Sequence, residues 1–135
     1  MNLVDELLKS DAKKASELTT KTITSKRLAT LLGKDEPVEI TIKEIKSKRL
    51  NEIVSMQLDK KGNFNPSKMY EAKILTCTEG IIDPPIDNEE LLEHFGCATP
   101  KDLVEKLFGN ETTKISDEIM KLGDFIENPE DEIKN

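Results

Sequence analysis

Histidine and cysteine are scarce in this chain: 135 residues contain one histidine, His94, and two cysteines, Cys77 and Cys97. A structural zinc site wants four ligands in paired spacing, and the H-x-x-C of His94 and Cys97 has no second pair, so no metal is expected. The same scarcity leaves no Ser-His-Asp or Cys-His set beside a nucleophile turn, and the chain reads as a non-enzyme. Both thiols lie in apolar helical contexts and read as free and buried. A phosphate loop is missing too, because the lysine-flanked loop at residues 60–63 has one glycine and no G-K-[ST]. Asp83, Asp87, Glu89 and Glu90 lack the alternating ligands and central glycine of a calcium loop, and helix capping accounts for them. No cofactor is expected.

Long apolar runs are absent as well. Nothing approaches the roughly 18 to 20 residues of a membrane span, and the start, MNLVDELLKSD, has no basic region ahead of an apolar core. A cytosolic protein is expected. Residues 1–75 carry 15 Lys and Arg against 11 Asp and Glu, or +4, whereas residues 76–135 carry 5 against 16, or −11. An acidic half repels phosphate backbones and anionic lipid, which points to protein partners, with no nucleic acid and no membrane.

What is present is helix punctuation. In DPPIDNEELLEHFGCATPKDLVEKLFG, residues 83–109, Asp87 and Glu90 have the spacing of a capping box, and Gly96 follows Leu91, Leu92 and Phe95 as a stop. Thr99 and Pro100 then start a helix whose Leu103, Val104, Leu107 and Phe108 form one stripe ending at Gly109. Two short helices joined by a turn invite comparison with a DNA-reading pair. The second would offer Lys101, Asp102, Glu105 and Lys106, which sum to zero charge, so that reading is disfavoured.

Along the rest of the chain, Asn2 caps a short helix with Leu3, Val4, Leu7 and Leu8 on one face, and a Lys/Ser/Thr/Ala-rich linker follows to residue 22. Residues 22–25 suggest a weak strand, and Leu28, Leu31 and Leu32 a helical turn stopped by Gly33. Val38, Ile40 and Ile42 alternate with Glu39, Thr41 and Lys43, which predicts a strand pairing most simply as a hairpin with residues 22–25. Ser47 can cap a helix through Leu58. Asn65 and Pro66 start another, apolar on a wide arc and stopped at Gly80, which reads as the central buried helix. Pro84 and Pro85 force an extended corner, and Ile115, Ile119 and Leu122 mark a last helix from Thr112 or Thr113 to Gly123. The fold class is α+β, mostly α: a small N-terminal β-hairpin plus a C-terminal bundle of short helices. The expected organisation is a helix and linker over 1–22, and one domain over 23–125, with hairpin and helix in 23–60 and a helical half in 65–123. An acidic tail over 126–135 completes it.

In order and spacing, several of these pieces resemble the XkdN-like family of phage tail assembly chaperones. They are the EG at Glu79 and Gly80, the I-x-D-P corner beginning at Ile81, E-L-L-x-x-F-G from Glu90, A-T-P-x-D-L-V from Ala98 and I-S-D-E-I-x-K-L from Ile115. Upstream, MNLVDELLKSDA, residues 25–28 and PVEITIKEI are similar too. The resemblance implies a non-catalytic factor, made in the cytoplasm of the bacterial host and absent from the mature particle. It implies binding to the long helical tape measure protein until tail tube protein polymerises around it. Self-association stays open. A component retained in the tail or baseplate is the alternative, and a helix-turn-helix regulator a more distant one. For partner contacts the sequence nominates Leu3, Leu7 and Leu8 with Leu103, Leu107 and Phe108, since short amphipathic helices can hold a partner helix in a groove.

Overall fold

Alternating apolar residues let a strand bury one face, and the strand at Val38–Lys43 (β2) also has a paired neighbour on each side. The computed structural model describes residues 2–123. In it β2 is the middle of a three-stranded antiparallel sheet, between Thr20–Ser25 (β1) and Ile81–Asp83 (β3). Ile40 and Ile42 are fully buried. The sheet thus departs from the expected hairpin in two ways. β1 begins at Thr20, two residues before the expected strand start, and β3 comes from the proline corner, where Asp83 returns to pair with Thr41 of β2. A helix, Lys26–Leu32 (α2), fills the connection between β1 and β2, ending at Gly33, whose φ of +67° suits glycine.

The helices form where their caps are written, with two displacements. Leu3–Lys9 (α1) is capped by Asn2, Pro66–Gly80 (α4) by Asn65, and Pro100–Phe108 (α6) by a full Thr99–Asp102 capping box. Glu89–His94 (α5) is capped by Asn88, not Asp87: the turn closed by Asn88 N–H on the Pro85 carbonyl takes up Asp87, and Asn88 Oδ1 accepts from Leu91 N–H at 3.0 Å. The end of α5 is as expected, with Cys97 N–H on the Leu92 carbonyl and Gly96 at φ +67°. In Ser47–Ser55 (α3), Ser47 is the first helical residue rather than the cap. That helix stops three residues short of Leu58 because Asp59 nucleates a turn, its carboxylate accepting from the N–H groups of Lys61 and Asn63. Thr112–Leu122 (α7) follows a single 3₁₀ turn, Gly109–Glu111, and has no side-chain cap. The expected acidic tail lies outside the described residues.

α4 is central, as its wide apolar arc predicts. It packs on α3, α6, α7 and β3, burying Ala72, Ile74, Thr76 and Cys77. The Cys77 thiol donates to the Thr112 carbonyl at 3.3 Å, and burial pushes its pKa up to about 12, which makes it inert. Outside this core, Arg49 grips Glu79 with two parallel bonds, Nε to Oε1 at 2.8 Å and Nη2 to Oε2 at 2.6 Å, tying α3 to α4.

Gly80 is the last residue of α4 and is buried, but its backbone is not left-handed; what it lacks is a side chain. A Cβ there would lie 2.5 Å from Cδ1, 2.8 Å from Cγ2 and 2.9 Å from Cγ1 of Ile119, on the facing side of α7. Helix propensity would reward alanine by up to about 1 kcal/mol, but at a terminal position the gain is smaller. Overpacking at a fully buried isoleucine costs about 1 to 3 kcal/mol and wins. Gly80→Ala is therefore expected to lower the unfolding free energy in urea by about 1 to 2 kcal/mol, and adding Ile119→Val should restore part of it.

A second long-range tie comes from Glu111. Its carboxylate accepts from Ser25 Oγ and from the N–H groups of Lys26 (3.1 Å) and Arg27 (3.4 Å), so the α6–α7 corner caps α2 from 85 residues away. Ser25, itself buried, caps the same helix through Leu28 N–H. Glu111→Ala should destabilise by about 1 to 3 kcal/mol, because a buried hydroxyl and two helix N–H groups lose their acceptor. Hydrogen exchange should then quicken first at Leu28 and Ala29.

Candidate partner-binding surface

Among the described residues no three His, Cys, Asp or Glu side chains gather as metal ligands would, and no buried side-chain nitrogen or oxygen lacks a partner. His94 is exposed, its ring edge-on to Phe95 at 4.9 Å, and Cys97 is half-buried beyond the end of α5 rather than within a helix. Cys77 is in the core and Cys97 at its margin, so the two thiols serve different surroundings.

The six nominated contact residues separate into two groups. Leu103, Leu107 and Phe108 lie on the inner face of α6 at 0%, 4% and 0% exposure, packed into the core with α4. They fix the platform, and a partner would reach them only by opening it. Leu3, Leu7 and Leu8 do the reverse. With Val4 they form one face of α1, spaced i, i+1, i+4 and i+5, and they stand 67%, 62% and 80% exposed. No residue of α1 is buried.

An isolated seven-residue helix is marginal in water, so α1 leans on its caps. Asn2 Oδ1 accepts from Asp5 N–H at 2.9 Å, and at the other end Ser10 bonds the Leu7 carbonyl through both its hydroxyl and its N–H. A 3₁₀ turn at Ala12–Ser16, started by Asp11, separates α1 from β1. The helix is thus capped at both ends with its apolar face exposed. Each of its leucines would gain about 1.5 to 3 kcal/mol on full burial, before the cost of ordering.

The body has apolar surface of its own that the sequence reading did not nominate. Leu31 and Leu32 project from α2, and Leu31 borders a cleft of about 370 Å³ with Arg27, Thr30, Lys106 and Leu107. A second patch arises where the Asp59 turn brings Leu58 opposite Phe64, with Phe64 62% exposed. The available signal was Phe64 itself, a single aromatic between two asparagines in a polar loop.

None of the curated proteins matches this chain significantly. The fold is similar to that of the crystal structure of the protein yqbn, with a TM-score of 0.54, 12% sequence identity, and coverage of 82% of this chain and 90% of that one. Residues 4–134 match the family described as phage XkdN-like tail assembly chaperone protein, and with nearly its whole length inside that match the chain belongs to this family of phage tail assembly chaperones.

Proposed function

We propose that the chain binds the tape measure protein through α1, keeping that protein's helical apolar surface soluble until tail tube subunits replace the chaperone around it. The observation that carries this is the preformed, capped helix with Leu3, Val4, Leu7 and Leu8 exposed on one face. A long helical protein waiting to be enclosed offers the same kind of surface, and apolar faces on two amphipathic helices bury each other. The residues before β1 act as an arm, and the sheet with its helices as the body that carries it. Leu103, Leu107 and Phe108 support this indirectly by holding α6 in place.

The factor works without catalysis, in the cytoplasm of the bacterial host, and leaves before the particle matures. Its described surface includes no helix long and apolar enough to cross a membrane. Release needs the arm to bind with moderate strength. Four side chains on a seven-residue helix suit that better than a large buried interface would.

Co-expression with the tape measure protein of the same phage tests the reading: the soluble fraction of that protein should rise several-fold with the native chain. Leu7→Ser with Leu8→Ser should abolish the gain while leaving the chain's thermal unfolding unchanged, since neither leucine is buried. A tape measure protein no more soluble with the chain than without it would overturn the proposal. Stoichiometric amounts of the chain in purified mature tails would favour a retained tail component instead.

A further inference from the structure

Sheet edges are the other open surface, and the two edges differ. β3 is three residues long and runs straight into Pro84 and Pro85, so it offers a partner strand little to pair with. β1 has six residues, no proline and no bulge in its ladder with β2. The N–H of Glu44 bonds the Thr19 carbonyl at 2.8 Å, which fixes the phase of that ladder. Thr19, Lys21, Ile23 and Ser25 turn their backbone groups towards β2, and Thr20, Thr22 and Thr24 turn theirs to the open side. Those three threonines are exposed and their outward backbone groups have no partner among the described residues.

From this edge we infer that two copies of the chain join β1 to β1, antiparallel about a two-fold axis through Thr22, into one continuous six-stranded sheet. In that register Thr22 faces the second copy's Thr22, and Thr20 faces the second copy's Thr24. About six inter-chain hydrogen bonds result, two for each facing pair. Residues that point outward in one copy meet residues that point outward in the other, which a register shifted by one would not allow. Charge permits the pairing. The only charged residue of β1, Lys21, lies opposite the second copy's Ile23, and each Lys21 is already held by its own Glu118 at 2.8 Å. That lysine is the usual device for keeping an edge apart, and here α7 neutralises it. A second copy fits this edge because it brings the same length, the same spacing of donors and acceptors, and β-favouring threonines on the wet face.

Sedimentation of the full chain over a concentration series tests this. A reversible dimer should appear at or below about 1 mM, the range in which a small hydrogen-bonded interface operates. Thr22→Pro removes only an outward N–H and leaves the β1–β2 ladder intact, and Thr22→Lys sets two charges face to face; each should weaken dimerisation at least about tenfold. If the proline variant fails to fold, the lysine variant decides. Hydrogen exchange adds a signature specific to this geometry: dimerisation should slow the amides of Thr20, Thr22 and Thr24, while those of Lys21 and Ile23 are slow throughout. A chain that stays monomeric at that concentration overturns the inference. So does a dimer that persists in both variants or leaves those three amides fast, since either would place the interface on another surface, such as α1.

Discussion

Everything in the body rests on how closely α7 can approach the end of α4. At Gly80 the two helices meet with no side chain between backbone and Ile119, and one residue later the chain becomes β3. That single close approach holds the last helix against the central one and at the same time aims the chain at the sheet. β3 then pairs with β2, and β2 buries Ile40 and Ile42 against the same core that Ile119 fills. A bulkier residue at position 80 would push on α7 and on the strand together, because the two share one joint. Close packing leaves no room to absorb the displacement elsewhere.

The second constraint closes the ring from the other direction. Glu111 sits at the corner that delivers the chain into α7, and it caps α2, which directly continues β1. Lys21 of β1 reaches Glu118 of α7, about two turns further on, and that ammonium holds the Glu118 carboxyl below its usual range. The outer strand is therefore pinned to the C-terminal helix at both ends, by contacts between residues 85 or more positions apart. Without them β1 would be held at the sheet edge by β2 alone. Pinning β1 while leaving its far edge bare gives the sheet a rigid side that is open to pairing.

Local chemistry was legible in the sequence and long-range chemistry was not. Thr99 with Pro100, Asn65 with Pro66, Asn2, Gly33, Gly96 and Gly109 all mark helix ends where the structure has them, because a cap is a bargain between residues three or four apart. The alternation through β2 was equally plain. What failed to show was anything settled at a distance. Ile81–Asp83 reads as a corner until β2 is placed beside it, Gly80 reads as a stop until Ile119 is, and Glu111 reads as one more surface acid until α2 is. The choice of Asn88 over Asp87 belongs to the same class on a smaller scale, since the turn at Pro85 decided it.

Contact residues divided along the same line. A leucine stripe has the same spacing whether it faces a core or a partner, so sequence could nominate α1 and α6 alike and could not separate them. Burial does separate them: α6 buries its stripe against α4, and no residue of α1 is buried. The physical difference is that α6 runs between the Thr99–Asp102 box and the Gly109–Glu111 corner that binds α2, whereas α1 ends in its own caps and a polar turn. A helix fixed at both ends must bury its stripe in the body. A helix joined to the body through a polar turn can keep its stripe exposed, and the arm proposed above uses that exposure.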